Sequence, residues 1–166
     1  MNRKISDAPA RRPDLRSVMR LFPTGVAVLL AGHESTAIAT TVNSLTSISL
    51  DPPTILVSLH ETSRAVRIID ATGEFRLSFL SGDQEDQARL FASSDKPTGE
   101  RLAPYLTATP VGFRILDGAI AGVACEVVSV RQESDHHVYL GRVTATHLGD
   151  TAHSALLFHH GRMTPA

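Results

Sequence analysis

Thr40 to Leu59 reads TTVNSLTSISLDPPTILVSL, and it sets the tightest limit on what this chain can fold into. Its first half has no charged residue and gathers Thr40, Thr41, Asn43, Ser44, Thr46, Ser47 and Ser49 in quick succession. Asp51-Pro52-Pro53 then forces a turn, because each proline fixes φ and lacks an N–H. Thr54 to Leu59 is β-branched and apolar and reads as a buried strand. By composition alone the first half is a Ser/Thr-rich loop between two strands. Its chemistry is more particular. Amides, hydroxyls and backbone N–H groups suit a flat, uncharged, heteroatom-rich ligand better than a phosphate or a metal.

Short extended runs punctuated by turns make up most of the remaining chain. Residues 1–12 are small, basic and without periodicity, and are expected to be disordered. Pro13-Asp14 opens a short helix on which Leu15, Val18, Met19 and Phe22 share one apolar face. Pro23 ends it. Val26 to Ala31 is an apolar strand, Gly32 to Ser35 a hairpin turn, and Thr36 to Thr41 the returning strand. Ser63, or Thr62, caps a helix carrying Val66, Ile68 and Ile69, and Gly73 ends it. Glu74 to Leu80 alternates, with Phe75, Leu77 and Phe79 on one side and Arg76 and Ser78 on the other. Ser81 to Asp83 cap a helix through Phe91, and residues 93–104 form a polar loop. Val111 to Leu116 and Ala119 to Val130 read as strands about an Asp117-Gly118 turn. The small apolar start of the second suits a crowded barrel interior or a subunit interface. Ser134-Asp135 turns into a strand from His136 to Ala145, and Leu156 to Phe158 is a last short one.

Several function classes are disfavoured. The chain has 166 residues, 42% of them hydrophobic, so one domain with a substantial core is expected from 13 to 166. A net charge of −1 argues against a general nucleic-acid or anionic-membrane binder. No apolar run approaches the roughly 18 residues of a membrane span, and Met1 to Pro13 lacks the apolar core of a secretory leader. Cys125 is the single cysteine and sits in an apolar run, as packing rather than nucleophile. A reducing cytoplasm fits it. Neither G-x-G-x-x-G, nor a phosphate loop, nor a G-x-S-x-G elbow occurs. Of the eight histidines, 136-137 and 159-160 are adjacent pairs, and strand neighbours point to opposite faces. No metal site is expected, and a metal- or haem-binding β-barrel stays the lesser alternative.

Three phrases in order carry a resemblance: Phe22-Pro23-Thr24-Gly25-Val26, Thr41-Val42-Asn43-Ser44-Leu45-Thr46-Ser47, and Ser49-Leu50-Asp51-Pro52-Pro53-Thr54-Ile55-Leu56-Val57. The chain resembles the short-chain flavin reductases, the reductase components of two-component flavin monooxygenases. The likeness runs from about residue 14 to 163. Leu45 stands where the family has an aromatic. Asp135-His136-x-Val138-Tyr139-Leu140-Gly141-x-Val143 resembles a further motif, with Ser134 in place of its glycine. The end motif is altered, although Phe158 keeps a ring.

The resemblance implies a mainly β fold with flanking helices, the FMN-binding split β-barrel. It also implies a homodimer with flavin sites near the subunit interface. The activity implied is hydride transfer from NADH or NADPH to FMN or FAD, the reduced flavin passing by diffusion to a partner monooxygenase. A flavin-binding protein without turnover is the alternative. The cofactor-binding residues implied are Thr41, Val42, Asn43, Ser44, Ser47, Leu59, His60, Ser63, Arg64, Phe91, Ala92, Lys96 and Phe158. Arg101 is a further candidate beside the flavin phosphate, and Ala65 replaces a phosphate-binding threonine. For Ser63 and Arg64 a plain capped helix with a surface arginine is the competing reading, and for Lys96 and Arg101 a solvated loop charge. His136 is implied to lie over the flavin and contact the nicotinamide; without the other motifs it reads as an exposed hairpin histidine. Hydride transfer itself needs stacking of the two rings and donors where charge develops. Backbone N–H groups around Asn43 to Ser47 are expected to supply those donors.

Overall fold

The structure, a computed structural model, describes residues 14–166. The arm expected over residues 1–12 lies outside the described residues. Asp14 caps α1 (Leu15–Met19), its Oδ1 accepting the Ser17 N–H at 2.8 Å. Then come β1 (Thr24–Gly25), β2 (Ala27–Ala31), β3 (Ile38–Val42), β4 (Leu45–Leu50) and β5 (Pro53–His60). α2 (Arg64–Thr72) and β6 (Glu74–Phe79) precede α3 (Glu85–Ala92), a 3₁₀ turn over Gly99–Tyr105, β7 (Leu106–Ala108) and β8 (Arg114–Leu116). β9 (Ala121–Glu133) and β10 (His136–Leu148) form a long hairpin, followed by β11 (Leu156–His159) and β12 (Arg162–Pro165).

Seven strands make one antiparallel sheet in the order β3-β2-β6-β9-β10-β5-β4. β3 and β4 lie at its two ends, yet only Asn43 and Ser44 separate them in the chain. Two residues reach only about 10 Å. The sheet must therefore curl until its ends meet at that pair, which makes a barrel with a seam. β1, β11 and β12 form a second small sheet, and β7 pairs with β8.

The apolar run of β2 is buried on both faces. Ala27, Leu29 and Ala31 join Phe75, Leu77 and Tyr139 in one core, with Val66 and Ile69 of α2 packed on it. Val28 and Leu30 join Phe91 of α3, Leu102 and Ile115 in a second core. The small residues of β9 and β10 are required by close approach. A Cβ on Gly122 would meet Ile115 Cγ2 at 2.5 Å, and one on Gly141 would meet Phe75 Cζ at 2.6 Å. Ser63 and Gly73 (φ 70°) cap α2 as expected.

Both sides of β6 are covered: Ser78 is fully buried and its Oγ accepts the Leu116 N–H at 2.9 Å. Three expectations are corrected. The Ser/Thr-rich loop is strand almost throughout, β3 running to Val42 and β4 starting at Leu45, because the hydroxyls and β-branches fit an extended edge. Ser81 to Asp83 do not cap α3. Gln84 holds that position, and its Oε1 accepts the Ser81 N–H instead. Val111 to Leu116 is a strand only from Arg114, after a turn at Gly112 (φ 92°). The apolar face of α1 exists, but Leu15, Val18, Met19 and Phe22 are all exposed.

Candidate functional site

The seam organises the first part of the site. Asn43 Nδ2 donates to Thr24 Oγ1 at 3.2 Å, and Ser44 Oγ donates to the Ser58 carbonyl at 2.5 Å. A cleft of about 140 Å³ opens there, lined by Val26, Thr41, Val42, Asn43, Ala92, Phe158 and Met163. No lining residue is charged. Five of the seven are residues expected to bind the cofactor; Val26 and Met163 are additions. Met163 enters because β11 and β12 pair Phe158 with Met163 across a turn, a local hairpin placement inside the altered end motif. Thr41 contributes through its backbone and methyl, since its hydroxyl donates to the Ala88 carbonyl of α3 at 2.6 Å.

A cationic corner adjoins the cleft. Lys96 Nζ donates to Thr40 Oγ1 at 3.0 Å and to the Phe91 carbonyl at 3.1 Å. It thus closes the C-terminus of α3 next to Ala92. Arg64, the first residue of α2, reaches only the Ser94 carbonyl, at 3.5 Å. Ser63 Oγ accepts the Ala65 N–H at 3.4 Å. Burial, and then the neighbouring Arg64, hold the Lys96 ammonium below its usual lysine range. Neither cation forms an ion pair among the described residues.

The third part joins two strands. His60 ends β5 and His136 begins β10, and they are register partners. His136 Nδ1 lies 2.7 Å from Asp135 Oδ1, and His60 Nε2 lies 3.5 Å from Asp135 Oδ2. The hydrogen bond from His136 holds the Asp135 carboxyl below its ordinary value, so it is an ionised acceptor. His136 Nδ1 therefore carries a proton and its Nε2 is the free acceptor. On His60 the Thr62 N–H donates to Nδ1 at 3.2 Å, which puts the proton on Nε2. Ser134 takes φ 56°, the left-handed conformation that the usual glycine would adopt freely.

Other expected residues fall elsewhere. The Leu59 side chain is in the core, and the Phe91 ring is fully buried, edge-on to Tyr105 at 5.6 Å, so Phe91 offers only its carbonyl. Ser47 is exposed on β4 opposite Ile55, away from the cleft lining. Arg101 is exposed on the Gly99–Tyr105 turn, which packs on the Glu34–Thr36 turn rather than on α2. Four hollows of about 410–480 Å³ are larger than the cleft, and the one of about 440 Å³ shares Val26 and Asn43 with it. Of the two of about 480 Å³, one holds Asp83, Asp117 and Asp150, and these carboxylates make it a poor host for an anionic cofactor. The other sets Glu34 and Glu100 beside Arg76 and Arg114 and is lined by none of the expected cofactor residues.

An uncharged cleft at the seam of a curled antiparallel sheet, with unpaired cations beside it, is the arrangement of a flavin-binding split barrel. The chain matches the flavin reductase like domain over residues 19–166. It is 39% identical over 157 residues to the NADH-dependent FMN reductase AsuE2 of Streptomyces nodosus subsp. asukaensis, spanning 92% of this chain and 84% of that one. Among solved structures, NADH:FAD oxidoreductase SgcE6 of Streptomyces globisporus C-1027 superposes with a TM-score of 0.82 at 30% identity, covering 95% of each chain. The styrene monooxygenase flavin reductase SMOB of Pseudomonas putida S12 gives 0.79 at 35% identity, covering 92% of this chain and 97% of that one. The chain belongs to the flavin reductase-like family.

Proposed function

We propose that this chain is an NAD(P)H:flavin oxidoreductase that reduces FMN or FAD and releases the product by diffusion to a partner monooxygenase. The observation that carries this reading is the uncharged cleft at the barrel's seam with a cation pair at its edge. Asn43, Ser44 and the β3 backbone would hold the flavin ring; Arg64, Lys96 and Ser63 would hold its phosphate. When bound, the flavin and nicotinamide supply the hydride chemistry themselves. The chain's part is to bind and orient. Thr41, Val42 and Phe158 wall the cleft against water. Asp135 fixes the His136 ring so that Nε2 faces outward as an acceptor, which suits the N–H₂ of a nicotinamide carboxamide. No proton needs to move through His136.

A homodimer completes the site in this reading. The cleft of about 140 Å³ is below the roughly 300 Å³ at which ligand pockets begin. A second copy laid on the exposed face of α1 would supply the missing wall and cover Leu15, Val18, Met19 and Phe22. No helix of the described residues is long and apolar enough to cross a membrane. A cytoplasmic site of action, with its supply of NAD(P)H, fits this reading.

The test is oxidation of NADH and NADPH by the purified protein with FMN, FAD or no flavin, followed by loss of the reduced nicotinamide's absorbance. Oxidation that depends on added flavin is expected. Flavin bound tightly with no turnover for any pair would make the protein a flavin carrier instead.

A further inference from the structure

Membership of the family leaves the choice between FMN and FAD open. We infer that the corner formed by Arg64, Lys96 and the N-terminus of α2 recognises a phosphate monoester dianion, and so selects FMN over FAD. This rests on the flavin reading above.

The corner holds two cations with no compensating charge. Lys96 uses two N–H bonds on neutral oxygens, Thr40 Oγ1 and the Phe91 carbonyl, and keeps the third for a ligand. Arg64 makes one long contact to the Ser94 carbonyl and keeps most of its donors. The nearby carboxylates are turned to neutral partners. Asp95 accepts from Ser94 Oγ at 3.2 Å, and Glu61 accepts from Gln132 Nε2 at 3.4 Å. His60 is directed to Asp135. α2 spans nine residues and adds its positive end at the same place. The repulsion that Lys96 feels from Arg64 is relieved by an anion bound between them.

The position fits the flavin tail. Thr40 precedes the cleft residue Thr41, and Phe91 precedes the cleft residue Ala92, so Lys96 stands at the cleft's edge. The FMN tail ends in a monoester phosphate whose second ionisation lies near about 6, giving close to two negative charges at neutral pH. In FAD the same phosphorus carries one charge and gives one of its oxygens to the bridge, the second charge lying on the next phosphorus. Two cations and a helix end that converge on one point match the monoester, which gathers both charges and three free oxygens on a single phosphorus.

The experiment is equilibrium titration of riboflavin, FMN and FAD by flavin fluorescence, without nicotinamide, in wild type, Lys96→Gln and Arg64→Gln. It is run at about pH 7.5 and about pH 5.5, either side of the monoester's second ionisation. Wild type should bind FMN roughly ten-fold or more tighter than FAD at the higher pH. That ratio should shrink towards one at the lower pH and in each variant, while riboflavin affinity stays the same. Asp95, Glu61 and His60 also face this region, and the two variants isolate the corner from them, because without its cations the preference should be gone at both pH values. Arg64 is exposed, so its variant keeps the test sound if loss of the α3 contact unfolds Lys96→Gln. Equal affinity for FMN and FAD in wild type, or a preference that survives both substitutions, overturns the selection while leaving the flavin reading intact. Failure to bind any of the three, riboflavin included, overturns both.

Discussion

His60 and His136 meet edge to face across the β5–β10 pair, their ring centroids 5.2 Å apart at 77°, with one Asp135 oxygen turned to each. The carboxylate fixes the His136 tautomer, the Thr62 N–H fixes that of His60, and His136 Nε2 is left as an acceptor. His136→Ala should lower kcat/KM for NAD(P)H by roughly ten-fold, with flavin affinity unchanged. Asp135→Asn should act in the same direction, through KM for the nicotinamide. Steady-state kinetics beside flavin titrations check both; unaltered nicotinamide kinetics in His136→Ala would remove the residue from the site.

Cys125 gives the protein an alkaline limit. Burial pushes its thiol up from 9.0 to about 12. In the unfolded chain the thiol loses its proton from about pH 9, while the folded chain keeps it. Its contribution to stability is therefore complete below pH 9 and is lost as pH rises towards 12. Tyr139, held up by burial and by its hydrogen bond to Asp70, adds to the fall at higher pH. Denaturation midpoints measured between about pH 8 and about pH 10 should decline, and Cys125→Ala should flatten that slope.

Ser134 stands where a glycine would be unstrained. Its φ of 56° costs an L-residue about 1 kcal/mol. Ser134→Gly should raise stability by a similar amount and leave the Asp135–His136 contact in place, as read by urea unfolding and by nicotinamide KM. No gain in the midpoint would show that the local hydrogen bonding of the turn already offsets the strain.

Gly141 meets the opposite case. A methyl there would strike the Phe75 ring, which is itself fully buried. Gly141→Ala should destabilise by about 1–3 kcal/mol without a change in denaturant slope. An unchanged midpoint would mean that the β9–β10 bulge next to it absorbs the group.

The exposed face of α1 tests the dimer. Phe22→Asp, at a side chain left 63% exposed, should convert the proposed dimer to a monomer in light scattering and weaken flavin binding with it. A dimer that persists would place the subunit contact elsewhere.

What could be read in the sequence was local. Ser63, Gly73, and the Asp117-Gly118 turn act within a few residues, and each was found where its chemistry required. The neutral cleft was legible through Thr41, Asn43 and Phe158. Residues whose roles depend on distant partners were not. Lys96 and Arg101 looked alike as loop cations until Thr40 and the Phe91 carbonyl claimed one, and the 3₁₀ turn carried off the other. The burial of Ser78 was not legible, because alternation separates a strand's two sides and does not say what covers the second. The periodicity of α1 was plain, but no sequence pattern states which surface lies over an apolar face.

The seam at Asn43 and Ser44 bears on how the chain comes to be folded. β2 with β3, and β4 with β5, are hairpins of adjacent segments that emerge early and sit on a two-residue tether. They cannot pair with each other, because they belong at opposite ends of the sheet. Only the β9–β10 hairpin, whose residues begin at Ala121, bridges β6 to β5 and draws the ends together. On the ribosome, the sheet cannot close until Leu148 has cleared the exit tunnel, and the cleft waits further for Phe158 and Met163. Until then, β5 and β6 each present an unpaired edge, which is the interval in which a nascent chain is most open to capture by a chaperone or by its neighbours.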